Sequence, residues 1–192
     1  SMDWYIHAYR FSVIVGLRPG ELAHIQYKRD IKGRRCYLRG AISVHGDFTS
    51  GKNENAIRSF VLPDLAMQEV EAQLAMLKEA GVVSPFLFPG RDGEHLVYET
   101  YRAHWERYRD FTVFPRTLYE MRHTFFALSK SLPLELVKLM AGHSKSFASF
   151  DVYGGELEDE SQQLSEMIDQ TVRGILDDAP PPASILSIKG SI

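Results

Sequence analysis

The 192-residue sequence contains a single cysteine, Cys36. That excludes an internal disulfide framework and a multi-cysteine zinc site, and it suits a reducing, cytoplasmic setting. No apolar run approaches the roughly 18 residues of a membrane span, and the N-terminus has no secretory hydrophobic segment. The seven histidines, His7, His24, His45, His95, His104, His123 and His143, show no His-x3-His spacing, so no metal is expected. A glycine-rich phosphate loop with Lys and Ser/Thr is also missing, so no cofactor is expected. Neither sign of charge dominates the whole, which carries a net −3. Yet from Glu156 onward eight acids stand against Arg173 and Lys189. The body before them holds 20 basic and 17 acidic residues. Within it, Lys28, Arg29, Lys32, Arg34 and Arg35 cluster around Asp30, a run that suits either a solvated face or a phosphate-tracking surface.

What is present is an ordinary globular composition, 44% hydrophobic and 24% charged, enough for one domain with a sizeable core. Residues 3–17 are apolar and aromatic and read as a buried helix closing at Gly16-Leu17-Arg18-Pro19-Gly20. Pro19 suits the first turn of a second helix, 21–26, because that turn's amides have no helical partner anyway. Residues 36–44 and 57–62 read as strands of a hairpin joined by the turn-rich stretch 46–55. Residues 64–80 place Leu65, Met67, Val70, Leu74 and Leu77 on one side of an amphipathic helix closed by Gly81. Further helices are expected over 97–110, 117–131, 133–141, 146–152 and 156–176. The stretch 177–192, with Pro180-Pro181-Pro182, reads as a flexible tail. This is an α+β pattern, mainly α, with helices around one small antiparallel sheet.

Distant segments make sense when read together. Arg18 lies in Gly-Leu-Arg-Pro-Gly-Glu-Leu, and Lys52 in the hairpin turn. Then come Tyr119-Glu120-Met121-Arg122-His123-Thr124, the pair Gly142-His143, and Tyr153 in Asp-Val-Tyr-Gly-Gly. Over residues 4–176 this order closely resembles the catalytic domain of the tyrosine recombinases, the phage-integrase family. There the order is arginine, hairpin lysine, a His-x-x-Arg box, a Gly-His pair and a nucleophilic tyrosine. The resemblance implies site-specific cleavage and rejoining of double-stranded DNA through a 3′-phosphotyrosine, without metal or ATP. It also implies a bacterial or phage protein of the nucleoid, a monomer alone and a homotetramer on DNA. Family members normally carry an N-terminal clamp domain as well. Such a domain is not seen before Asp3, so Ser1-Met2 reads as a junction and the chain as part of a longer protein.

The chemistry assigns roles that agree. A covalent phosphoenzyme keeps the phosphoester bond energy for resealing, and Tyr153 is the matched nucleophile. The phosphorane-like transition state gathers charge that planar, always-charged guanidinium groups suit; Arg18 and Arg122 match. Arg18 stands at a helix start whose amides also favour an anion. Glu21, one turn on, is expected to hold Arg18 by an ion pair or to cap the helix. Lys52 is the candidate general acid for the 5′-oxygen, and His143 a hydrogen-bond donor to a phosphate oxygen. His123 is expected to be buried and supporting. Tyr119 departs from the family histidine. Near pKa 10 a tyrosine is a poor base at pH 7, though its hydroxyl can donate to a non-bridging oxygen.

The acidic helix 156–176 carries Leu157, Leu164, Ile168 and Val172 along one side. It is expected either to pack on its own domain or to dock on a neighbouring protomer. Three other readings compete with an active recombinase. They are a DNA-binding accessory protein disabled by Tyr119, a type IB topoisomerase, and an unrelated α-helical interaction module.

Overall fold

A computed structural model describes residues 3–49, 57–109, 117–142 and 156–179. The first helix, α1 (Ile6–Val15), is buried on nearly every side, through Ala8, Tyr9, Phe11, Ser12, Ile14 and Val15. A helix apolar all round belongs inside a core, and α1 packs against both α4 (Asp64–Glu79) and α6 (Leu118–Leu128). It ends at Gly16, whose φ of 67° is the left-handed cap conformation. A Cβ built there would sit 2.3 Å from the Phe125 ring. The turn therefore needs glycine twice over, for its backbone and for the approach of α6. Gly16→Ala is expected to cost about 2–4 kcal/mol from left-handed strain and overpacking, and thermal melts should show a drop of roughly 5–15 °C.

Two short helices follow, α2 (Pro19–His24) and α3 (Tyr27–Asp30). The expected strand 36–44 is broken. β1 (Ile31–Lys32), β2 (Arg35–Leu38) and β5 (Arg58–Val61) form one antiparallel sheet in the order β1-β2-β5. β3 (Ala41–Ile42) and β4 (Phe48–Thr49) form a separate pair. The break falls at Gly40, where a Cβ would meet the Thr49 carbonyl oxygen at 2.4 Å and His24 Nε2 at 3.2 Å. β2 does pair with β5, Cys36 facing Phe60 and Leu38 facing Arg58. So the expected antiparallel pairing holds, but residues 41–49 fold into their own small hairpin rather than a plain loop.

The helices α5 (Tyr98–Arg109), α6, α7 (Leu134–Ala141) and α8 (Glu156–Asp178) complete the chain, with a 3-10 turn at Ser129–Ser131. The helix expected over 146–152 lies outside the described residues, as does the tail from Pro180 on; Asp177 and Asp178 still belong to α8. In this chain α8 packs on its own domain. Leu164 and Ile168 are buried, and β5, the sheet edge, is covered by α8. The Val61 N–H donates to Ser161 Oγ at 2.8 Å. Asp169 accepts the Asp64 and Leu65 N–H groups at 2.5 and 2.9 Å. Its carboxylate thus serves the positive N-terminal end of α4. Among the described residues no helix is long and apolar enough to cross a membrane.

Candidate active site

Arg18 ends the turn out of α1 and begins α2. Glu21 is one turn on, and its carboxylate is almost wholly buried, 2% exposed. Glu21 Oε2 accepts the Arg18 N–H at 2.9 Å, and Oε1 accepts Arg18 Nη1 at 3.0 Å. It therefore both caps α2 and holds Arg18, the two roles expected as alternatives. The Arg18 side chain stays 38% exposed, so part of its fork faces solvent.

A buried carboxylate needs more than one half-exposed partner, and the sequence reading missed the other. Arg58 on β5 donates Nη1 to Glu21 Oε1 at 2.9 Å and Nη2 to Oε2 at 3.1 Å. Its side chain is 1% exposed, and its Nε donates to the Met140 carbonyl at 2.8 Å. A signal was available: an arginine inside the run Ile57, Phe60, Val61, Leu62 is a charge in a strand otherwise fit for burial. Burial alone would raise the Glu21 carboxyl, but the Arg58 charge and hydrogen bonds, with those of Arg18, outweigh it and hold it below its ordinary 4.5. Folding then binds fewer protons than the unfolded chain as pH falls. The stability from this group is fully present above the unfolded value near 4.5 and is lost as pH drops through the folded one. Melting temperatures measured from pH 7 to pH 3 should fall below about pH 4.5, and less steeply in Glu21→Gln.

Arg122 comes from α6, a turn after Leu118. The helix buries Leu118, Met121, Arg122 and Phe125, and Arg122 is 2% exposed. Its Nη1 donates to the Gly16 carbonyl at 2.5 Å and Nη2 to the Ala141 carbonyl at 2.6 Å, two of five guanidinium donors. Burial, then the neighbouring Arg18 and Arg58 charges, lower it to about 10, so it remains cationic at neutral pH. Arg18, Glu21, Arg58 and Tyr119 all act electrostatically on Arg122. The structure thus brings together Arg18, Glu21, Tyr119 and Arg122 from segments about a hundred residues apart.

Tyr119 is 51% exposed. It borders a groove of about 190 Å³ together with Pro19, Gly20, Ile42, Val44 and Tyr98, next to Arg18 in the chain. His123 was expected to be buried, and it is exposed instead. It follows Arg122 by one residue, about 100° around the helix, and so leaves the buried stripe. Its ring meets that of Tyr119 edge to face, centroids 5.3 Å apart, as neighbours four residues apart on a helix do.

Lys52, His143 and Tyr153 lie outside the described residues. The basic cluster is described in full, and much of it is engaged locally. Arg29 pairs with the buried Asp30 at 2.7 Å and donates to the His24 carbonyl. Arg34 pairs with Asp64 at 2.7 Å, and Arg35 donates to Ser59 Oγ at 3.0 Å. Arg35 alternates with Cys36 on β2, whereas Arg58 faces Leu38. Arg35 therefore projects from the sheet face opposite Arg58 and Glu21. Lys28 and Lys32 are exposed. Among the described residues no group of three or more His, Cys, Asp or Glu could hold a metal ion.

No protein-family model and no curated protein matches the sequence. Solved structures do match in shape. The Tn1549 transposon integrase in complex with transposon right end DNA has a TM-score of 0.59 at 19% identity, over 81% of this chain and 58% of that one. A lambda integrase tetramer bound to a Holliday junction gives 0.57 at 16% identity, over 76% of this chain and 42% of that one. The lambda integrase catalytic core gives 0.52 at 17% identity, over 74% and 81%. The chain thus spans less than two thirds of the two longer proteins. With its α1-to-α2 turn, its small antiparallel sheet and its buried arginine helix, the chain has the catalytic-domain fold of the tyrosine recombinases.

Proposed function

We propose that this chain is the catalytic domain of a site-specific DNA recombinase of the integrase kind. It cleaves and rejoins strands through a 3′-phosphotyrosine on Tyr153, with no metal or ATP. One observation carries the reading. On a fold shared with integrases solved on DNA, the buried Glu21 carboxylate holds Arg18, and Arg122 is braced on the Gly16 carbonyl, two residues before Arg18. Guanidinium groups held in advance by the fold are what a phosphorane's non-bridging oxygens require. In this reading the Tyr153 hydroxyl gives up its proton to water as it attacks the scissile phosphorus, and the bond to the 5′-oxygen breaks as the new O–P bond forms. Arg18 and Arg122 hold the developing charge, His143 donates a further hydrogen bond, and Lys52 protonates the leaving oxygen. The reverse attack by a 5′-hydroxyl on the phosphotyrosine reseals the strand. The partner is double-stranded DNA, and the working assembly is a homotetramer, as for the lambda integrase on its junction.

Tyr119 favours a second reading, a DNA-binding accessory protein. Its hydroxyl can donate a hydrogen bond but is a poor base. The exposed His123 ring beside it supplies an imidazole on the same helix face, which supports the catalytic reading. Negatively supercoiled plasmid, incubated with the protein in EDTA without ATP at low salt, separates the two. The recombinase reading expects relaxed topoisomers, because a strand held by a phosphotyrosine can swivel before resealing. Retardation of the plasmid on a gel with no relaxed product supports the accessory reading.

A further inference from the structure

We infer that Arg58 is a positioning residue that sets Arg18 and the end of α7 in fixed relation to each other. The inference rests on the recombinase reading for its rate measurements and on geometry alone for its exchange measurements. The Arg58 side chain is 1% exposed, and its Nη1, Nη2 and Nε bind groups of the protein itself. Among the described residues its donors reach both Glu21 and α7. Nη1 and Nη2 grip the Glu21 carboxylate, which on its other side holds the Arg18 side chain and backbone N–H. Nε grips the Met140 carbonyl. Arg122 takes the next carbonyl, Ala141, and that of Gly16 at the turn before Arg18.

Two neighbouring guanidinium groups thus hold consecutive carbonyls at the C-terminal end of α7. That end carries the negative pole of the helix, where cations are favoured. α7 closes at Gly142 with φ 70°, and the chain continues directly into His143. A displacement of Arg58 therefore moves the support of Arg18 and the end of α7 at Gly142 at once. A lysine cannot replace this, because a single ammonium has no planar fork with a third donor turned away from the carboxylate.

The test uses the 192-residue protein and its Arg58→Met, Arg58→Lys, Glu21→Gln and Arg58→Met/Glu21→Gln variants. Two quantities are read. One is the single-turnover rate of SDS-resistant adduct on nicked plasmid DNA at saturation. The other is residue-resolved amide hydrogen exchange at Arg18, Gly142 and, as a control, Val70 in α4. Arg58→Met is expected to slow the saturating rate by about 10²-fold, the scale of an ångström of misplacement, while the plasmid dissociation constant stays within about threefold. Exchange should quicken at Arg18 and Gly142 together and not at Val70. Arg58→Lys should reach no more than about a tenth of the parent rate. In the Glu21→Gln background, Arg58→Met should slow the rate by no more than about twofold further, because both changes act through one carboxylate.

A rate in Arg58→Met within about threefold of the parent overturns the inference. So does a double variant whose losses simply multiply, or exchange that quickens equally at Val70, which would mean a loosened fold. If Arg58→Met does not fold, Arg58→Lys is read by the same criteria. If the parent protein forms no adduct, the recombinase reading fails and the exchange data decide alone. Joint quickening at Arg18 and Gly142 sustains the inference, and unchanged exchange at either overturns it.

Discussion

Glu21→Leu is expected to be among the most damaging single exchanges in this protein, costing about 3–5 kcal/mol, the range found when one partner of a buried ion pair is removed. The reason is the imbalance it leaves. Arg58, 1% exposed, and Arg122, 2% exposed, are cations in the interior, and Glu21 is the carboxylate that faces them. With leucine there, Arg58 keeps the Met140 carbonyl but loses its charged partner. For a chain of this size the loss corresponds to roughly 6–20 °C in melting temperature. Glu21→Leu/Arg58→Met should recover much of it, because replacing both members of a buried pair by apolar groups is often close to neutral. Urea titrations of the single and double variants measure this directly. A Glu21→Leu cost below about 1 kcal/mol would show that the carboxylate is not sealed between the arginines in solution.

Arg122→Lys is the second large effect, and it falls on rate. A lysine keeps a positive charge but cannot bond both Gly16 and Ala141 as the guanidinium does. Buried as Arg122 is, the ammonium would also be pushed toward its neutral form by desolvation and by Arg18 and Arg58. The single-turnover rate of adduct formation should fall about 10²–10³-fold, the cost of one lost transition-state donor. The dissociation constant for DNA should change little, because most affinity comes from many phosphate contacts elsewhere. A rate within about threefold of the parent would place Arg122 outside the chemistry and leave it a purely structural brace.

The parts of the fold that the sequence showed well were those with strong periodicity or firm punctuation. α4 displays its apolar stripe openly, and Gly16-Leu17-Arg18-Pro19-Gly20 marks both the end of α1 and the start of α2. The small sheet was harder. β3 and β4 are two residues each, too short for alternation to register. The break at Gly40 is set by a contact with Thr49 from a distant part of the hairpin. In the site, Arg18 and Arg122 were legible through their motifs, whereas Arg58 has a plain strand around it and its meaning depends on Glu21, 37 residues away. The exposure of His123 follows from the helix itself and runs against the family resemblance. Leu118, Met121, Arg122 and Phe125 already fill the buried stripe, and position 123 falls beside it. The basic run at 28–35 shows the limit of counting charge. Asp30, Asp64 and Ser59 engage three of its five cations, which charge along the sequence does not reveal.

The central claim is that Tyr153 becomes covalently joined to DNA. The most direct measurement incubates the protein and its Tyr153→Phe variant with nicked duplex DNA in EDTA, stops the reaction with SDS, and separates the products on a denaturing gel. The nick lets the short strand diffuse away and traps the joined state. The expected result is a protein–DNA band with the parent, formed without metal or ATP, absent with Tyr153→Phe, and yielding a phosphotyrosyl peptide containing residue 153 after digestion. A band of equal strength with Tyr153→Phe, or no band while the protein still binds the duplex, would contradict it.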